Sequence, residues 1–202
     1  MIIIEILIAI YLLGSFIHFQ VNKKRNSHKT ALLAGHIDAS ETLKKTLAMG
    51  IYLRFREEKE SYHPTIKENN TFLKQDPYAF ESFVAAIIES AKGGSTWVSP
   101  STGDNGVDFE HTIENEKFLG QVKCYKDNVD YEPIAILHSN MMKEQAKGGY
   151  VITTSSFTND AKKYAKGLDI ELIEGVDLVE LWIAGLNTVE EEIKQLTPDF
   201  VK

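Results

Sequence analysis

Two alternating runs near the middle of the chain constrain its fold more than any other feature. "VDFEHTI" (residues 107–113) and "KFLGQVKCY" (residues 117–125) are separated only by the polar tripeptide "ENE". Alternation with a period of two is typical of β-strands, and a short polar joint between two such runs favours a tight reversal. Residues 107–125 are therefore predicted to form an antiparallel β-hairpin.

The patterns on either side of this hairpin predict a mixed α/β architecture. Asp76 and Pro77 form a typical helix start, and Gly93 and Gly94 mark the end of that helix. A short strand, "STWVSP", separates it from the hairpin, and a helix (133–147), a continuous apolar strand (149–154), a helix capped by Thr158, the strand "IELI" and the helix "VDLVELWIAG" follow. The order helix, three strands, helix, strand, helix, strand, helix predicts an α/β sandwich around a mixed central sheet.

The first nineteen residues are apolar apart from Glu5, Ser15 and His18. About 20 apolar residues are enough to cross a bilayer core. Basic residues follow this stretch in "NKKRNSHK" (residues 22–29) instead of preceding it, which is the reverse of a cleaved signal peptide. The sequence predicts a transmembrane helix over residues 1–20, in a single-pass protein of the cell membrane whose remaining residues are cytoplasmic. The alternative is a buried helix of the globular domain.

The region between this segment and the α/β domain, residues 21–75, is predicted to hold a basic flank, an amphipathic helix and a linker. Leu43, Leu47, Ile51 and Phe55 recur every four residues, as on one face of a helix. This helix could act as a spacer, as a self-association surface in a homo-oligomer, or as a membrane-surface helix. Pro64 and nearby asparagines indicate a linker, so the α/β domain is assigned to residues 76–186 and a tail to residues 187–202.

Charge and cysteine content narrow the function classes. The 202-residue chain carries a net charge of −7, which argues against general nucleic-acid binding because affinity for phosphates comes from clustered Lys and Arg. Any contact with DNA must then be local. The single cysteine, Cys124, excludes an internal disulfide.

A group of polar side chains in the hairpin has the composition of a metal-dependent phosphodiesterase site. Gln121 and Lys123 share one strand face, and Asp108 follows the turn sequence "GDNG" beside them. Mg²⁺ prefers oxygen ligands, which Asp108 and Gln121 can supply, and Lys123 can orient water or neutralise phosphate charge. Glu81, in the preceding helix, is a candidate second acid. The alternative for Asp108 is that it only braces a turn.

Five segments in this order resemble the catalytic domain of Mrr-type restriction endonucleases, a branch of the PD-(D/E)xK nuclease superfamily. They are "FESFVAAII" with Glu81, "GDNGVDF" with Asp108, "GQVKCYK" with Gln121 and Lys123, "GGYVITTSSFTNDAKKYA" and "IELIEGVDLVEL". The resemblance covers residues 76–182, about half the chain, and follows the D…QxK variant of the family. It implies a restriction-endonuclease-like fold and cleavage of double-stranded DNA that depends on Mg²⁺, with Mn²⁺ as a substitute. It also implies that Asp108 and Gln121 bind the metal and that Lys123 activates the attacking water or stabilises the charge on the phosphate oxygens.

The chain departs from these enzymes at its N-terminal end, where they usually carry a DNA-recognition domain. We therefore expect a membrane-anchored DNA endonuclease of the type IV restriction kind, which acts in restriction of foreign DNA, or else a catalytically weak nuclease fold that binds nucleic acid or a protein partner at the membrane. The lysines expected to contact DNA are Lys123, Lys126, Lys143, Lys162, Lys163 and Lys166. Thr153, Thr154 and Ser155 could receive a phosphate or serve as ordinary turn and capping residues. His111 falls on the strand face opposite Asp108 and is predicted to be structural. Cys124 falls on the face opposite Lys123 and is predicted to be a small core residue.

Overall fold

The computed structural model describes residues 2–56, 77–99 and 106–196 of the chain, with side chains described for residues 8, 11–25, 29–56, 78–99 and 106–186. Three sequence predictions fall outside these ranges. They are the helix start at Asp76, the linker around Pro64 and the turn that contains Asp104.

The first of two compact units, Met1–Ser40, consists of one helix, α1 (Ile2–Asp38). Many of its apolar side chains are more than half exposed, namely Ile8, Tyr11, Leu12, Leu13, Phe16, Ile17, Phe19 and Val21. In the described part of the chain, none of the helices has a stretch of sufficient length and apolarity to cross a membrane. The transmembrane helix predicted for residues 1–20 is therefore not supported by the structure.

The second compact unit, Glu41–Lys202, contains all the remaining elements. They follow the order predicted for the α/β domain, preceded by the amphipathic helix predicted within residues 21–75. In chain order they are α2 (Glu41–Phe55), α3 (Pro77–Lys92), β1 (Ser95–Val98), β2 (Phe109–Ile113), β3 (Glu116–Lys123), α4 (Glu132–Glu144), β4 (Gly148–Thr153), α5 (Asn159–Tyr164), β5 (Ile170–Ile173) and α6 (Gly175–Leu196).

The strands form one mixed sheet in the order β1-β2-β3-β4-β5. The first three strands are antiparallel, whereas β3, β4 and β5 are parallel and are joined through α4 and α5. Parallel strands need crossover connections of this kind, which place helices on the sheet faces. Strand β4 is buried along its whole length, as its continuous apolar run predicts.

The predicted hairpin is formed by β2 and β3, and its turn fixes the register of the site. Glu114 and Asn115 have positive φ angles of 51° and 65°, the conformation of a two-residue hairpin turn. Phe109 consequently pairs with Gly120, and a Cβ added to Gly120 would lie 2.2 Å from the Phe109 ring. A glycine here lets the fully buried Phe109 ring cross the neighbouring strand.

Two helical layers enclose the sheet. On one side, α4 and α5 cover a core that includes Leu119, Val129, Ile134, Leu137, Met141, Val151, Phe157 and Ala161. On the other side, the apolar face predicted for α3 is buried at Phe80, Val84, Ile87 and Ile88, together with Leu178 and Val179 of α6. The α/β sandwich around a mixed central sheet expected from the sequence is thus observed.

Helix α2, which the sequence analysis placed between the anchor and the nuclease domain, belongs to the same compact unit as the sheet. Its buried positions are Lys44, Ala48 and Ile51, whereas Leu43 is 44% exposed. The predicted face is partly confirmed, since Ile51 is buried and Leu47 and Phe55 are half-buried, but the buried face also includes Lys44 and Ala48 and leaves Leu43 exposed.

Candidate active site

Asp108 lies where β2 begins and is held by the backbones of both neighbouring strands. Its N–H donates to the carbonyl of Gly120 at 2.8 Å, and its own carbonyl accepts the N–H of Ser99 at 2.9 Å. The carboxylate oxygen Oδ2 accepts the N–H of Val122 at 2.5 Å. The side chain is only 7% exposed. Asp108 is therefore a positioned, buried carboxylate and also a brace between β2 and β3.

The strand register brings Gln121 and Lys123 to the same edge as Asp108. Because Phe109 pairs with Gly120 on an antiparallel ladder, Asp108 comes opposite Gln121, and Lys123 follows two residues later on the same face. Gln121 is 2% exposed, and its amide oxygen Oε1 has no hydrogen-bond donor among the described residues. Lys123 is half-buried at the carboxyl end of β3.

One cavity of about 690 Å³ joins three of the four predicted site residues. Glu81, Asp108 and Lys123 all line it, so the structure places the acid of α3 beside the hairpin, which sequence spacing could not do. Gln121 is buried next to Asp108 but does not itself line the cavity. The remaining lining residues are Tyr52, Phe55, Arg56, Phe80, Val122, Cys124, Tyr125, Lys126, Asp127 and Asn128.

The oxygen atoms at this edge fit a hard divalent cation. Asp108 and Glu81 provide carboxylates on the same cavity, and the buried Gln121 Oε1 is an acceptor whose burial without a donor costs about 1–3 kcal/mol. A water or cation beside Gln121 would remove this cost. Among residues that the structure describes, no set of three or more His, Cys, Asp and Glu is arranged to hold a metal. Any cation here would need the amide, phosphate or water as further ligands.

Three hydroxyl groups fasten the chain that leaves Lys123. Thr153 Oγ1 donates to the carbonyl of Lys123 at 3.0 Å, Thr154 Oγ1 to that of Tyr125 at 2.9 Å, and Ser155 Oγ to that of Asp127 at 2.7 Å. The sequence is compatible with two roles for these residues, phosphate binding or ordinary turn and capping contacts. Their contacts assign them to bracing the cavity wall, because each donates to a backbone carbonyl.

The lysines expected to contact DNA do not form one patch around this cavity. Lys123 and Lys126 line it. In contrast, Lys162 forms an ion pair with Glu174 at 2.7 Å and Lys163 one with Asp160 at 3.2 Å. Hydrogen bonds from Lys162 and from the N–H of Phe157 outweigh the effect of burial and lower the pKa of Glu174, which keeps it ionised.

The structure agrees with the prediction for His111 but not with that for Cys124. His111 is fully buried on the face opposite Asp108, with Nε2 2.7 Å from the carbonyl of Gly93 and Nδ1 3.2 Å from the Tyr150 hydroxyl. Burial, with a smaller effect from Glu171, raises the pKa of that tyrosine to about 12. His111 is therefore structural, as predicted. Cys124 is only partly buried and lines the cavity, so it is not the core residue that alternation suggested.

Comparison with known families identifies the domain that carries this site. A family model for the catalytic domain Mrr_cat, described as a restriction endonuclease, matches residues 72–182, more than half of the chain. The type IV methyl-directed restriction enzyme EcoKMrr of Escherichia coli (strain K12) is 28% identical over 106 residues. That match covers 49% of this chain and 35% of the E. coli protein, so the chain corresponds to about a third of that relative.

Two solved structures share the fold. The MspJI restriction endonuclease, in complex with a 27-mer oligonucleotide, aligns with a TM-score of 0.52 and 22% identity over 78% of this chain and 35% of its own. The DNA modification-dependent restriction endonuclease AspBHI aligns with a TM-score of 0.51 and 16% identity over 76% of this chain and 40% of its own. At these identities the likeness concerns the fold alone.

Proposed function

Because the chain belongs to the Mrr_cat restriction endonuclease family, we propose that it is a metal-dependent endonuclease that hydrolyses phosphodiester bonds of double-stranded DNA. The observation that carries the proposal is the cavity in which Glu81, Asp108 and Lys123 meet beside the buried Gln121. This is the set of charges and oxygen ligands that phosphate-ester hydrolysis requires. Restriction of foreign DNA is the biological setting that the family suggests.

Each residue has a role that follows from its position. Asp108 and Gln121 would hold Mg²⁺, or Mn²⁺ in its place, and Glu81 would add a second carboxylate from α3. The bound cation would supply charge stabilisation and a more acidic water. The Lys123 ammonium would offset the negative charge that builds up on the phosphate oxygens as water attacks phosphorus and the P–O bond to the leaving group breaks.

The experiment that tests this function is a cleavage assay on supercoiled, linear and methylated DNA with the full chain. We expect nicking or cutting with Mg²⁺ or Mn²⁺ and none after EDTA is added, because the bound cation would make the attacking water more acidic, which the Lys123 ammonium does not do. Excess Mg²⁺ added after EDTA should restore activity. Cleavage that persists in EDTA would contradict the metal requirement.

A nuclease-fold module that binds nucleic acid or a protein partner without cutting is the second candidate. It is favoured by one observation, the lack of three clustered metal-binding side chains among the described residues. The same assay separates the two candidates when it is paired with a titration of Mn²⁺. Absence of both cleavage and metal binding would support the binding module.

Attachment to a membrane is a separate proposal that the sequence and the exposed apolar side chains of α1 support. Burial of that surface in lipid would be favourable at about 25 cal/mol per Å². We expect the full chain to remain in the membrane pellet after an alkaline wash, and a chain that starts at Glu41 to be released. Recovery of the washed full chain in the supernatant would refute the attachment.

A further inference from the structure

Helix α2 lies outside the family-matched segment, residues 72–182, yet it is fixed to the catalytic domain. Its Lys44 is 8% exposed and its Nζ donates to Glu180 Oε1 of α6 at 2.6 Å. Ala48 and Ile51 are each 6% exposed. This contact fixes α2 against α6, because the Lys44 ammonium is largely withdrawn from water and the Glu180 carboxylate, whose side chain is 46% exposed, compensates its charge.

The C-terminal end of α2 contacts both sides of the catalytic cavity. The carbonyl of Tyr52 accepts the Cys124 thiol at 3.8 Å, one residue beyond Lys123. The Phe55 ring lies 5.3 Å from the ring of Phe80, which directly precedes Glu81, and 5.2 Å from that of Phe83. These contacts bring Tyr52, Phe55 and Arg56 into the wall of the cavity that holds Asp108 and Lys123.

A second cavity, of about 260 Å³, continues this wall along α2. It shares Tyr52, Tyr125 and Lys126 with the catalytic cavity and adds Lys45, about two turns before Tyr52 in α2, where Lys45 forms an exposed ion pair with Glu41 at 3.3 Å. The two cavities adjoin through these shared residues and form one path, in which Lys45 of α2 lines one cavity and Arg56, the residue directly after α2, lines the other.

The charges along this path suit a nucleic-acid backbone. The chain as a whole is acidic, with a net charge of −7, and three acids, Glu81, Asp108 and Asp127, line the catalytic cavity. A polyanion can approach these acids only where cations compensate for them. Arg56 suits this task because its planar guanidinium can donate two parallel hydrogen bonds to a phosphate.

We propose that α2 and the residue that follows it form a DNA-binding surface of the nuclease. Arg56 binds a phosphate at the catalytic cavity, and Lys45 binds a second phosphate at the adjoining cavity. The inference rests on the proposed nuclease function and extends it to a helix that the family-matched segment does not contain. Its ligand is the backbone of duplex DNA, so the contacts hold the substrate in place without reading its sequence.

The test measures how DNA affinity depends on salt, using the full chain with Lys123→Ala as the non-cleaving parent. Each lost phosphate contact should reduce the slope of log affinity against log salt concentration by about 0.9 on a short random duplex. Arg56→Gln and Lys45→Gln should each show this reduction, and Arg56→Gln should bind about tenfold more weakly at low salt. Arg56→Lys should retain the slope because it retains the charge.

The matched control is Arg54→Gln, which removes one positive charge two residues before Arg56, in the last turn of α2. Arg54 is exposed, stacks on the Phe55 ring at 5.0 Å and does not line either cavity, so its slope should equal that of the parent. Unchanged slopes in Arg56→Gln and Lys45→Gln, with a parent that binds DNA, would overturn the role of α2 alone. A chain with Lys123 intact that neither binds nor cleaves DNA at any salt concentration would overturn the nuclease proposal as well.

Discussion

Replacing Lys123 by alanine is expected to lower the rate of DNA cleavage by about 100- to 1000-fold, the loss seen when one donor to a developing oxyanion is removed. Lys123 ends β3 and carries its ammonium into the cavity beside Asp108 and Glu81. The backbone around it should be unaffected, because its carbonyl still accepts the Thr153 hydroxyl and the Thr154 N–H in the variant. The thermal unfolding midpoint should therefore stay close to that of the parent.

Cleavage of supercoiled plasmid under single-turnover conditions is the measurement, with Lys147→Ala as the control. Lys147 precedes β4 at the opposite end of the strand and forms an exposed ion pair with Glu116 at 2.9 Å. The variant loses one positive charge as Lys123→Ala does, yet it should cleave at the parental rate. Equal rates for the parent and Lys123→Ala would remove Lys123 from the active site.

The sequence was most informative in the hairpin, because period-two alternation is a local property. Alternation places Gln121 and Lys123 on one face of β3, and the register set by the two-residue turn at Glu114 and Asn115 brings Asp108 beside them. A slip of one residue in β3 would have turned Gln121 and Lys123 to the face opposite Asp108. The buried strand β4 and the helix capped by Thr158 were predictable for the same reason, since their signals lie within a few residues.

Features that depend on distant residues were not predictable in this way. The buried face of α2 includes Lys44, which a hydrophobic pattern assigns to solvent. Its ammonium pairs with Glu180, a residue 136 positions later that a local pattern cannot connect with it. Glu81 could be nominated from the sequence, but its place in the cavity depends on how α3 packs against the sheet. Alternation predicts Cys124 on the buried face of the strand. Because β3 ends at Lys123, the rule does not extend to Cys124, which is only partly buried.

Asp108 allows the catalytic and structural interpretations of the site to be separated by two substitutions. Asp108→Asn keeps an oxygen that can accept the Val122 N–H but removes the charge that would hold a cation. We expect its cleavage rate to fall by at least about 100-fold and its free energy of unfolding to stay within about 1 kcal/mol of that of the parent.

Asp108→Ala removes the acceptor as well, and this difference tells the two roles apart. The Val122 N–H would then be buried without a partner, which should lower the free energy of unfolding by about 1–3 kcal/mol, in addition to the loss of cleavage. Chemical denaturation and plasmid cleavage, measured on both variants, separate the two contributions. If Asp108→Asn cleaved DNA at the parental rate, Asp108 would be only a brace of the hairpin, and the metal site would have to be built from Glu81. If both variants lose cleavage and only Asp108→Ala loses stability, one carboxylate both orders the hairpin and supplies its charge, because the N–H of Val122 holds that carboxylate at the edge of the cavity.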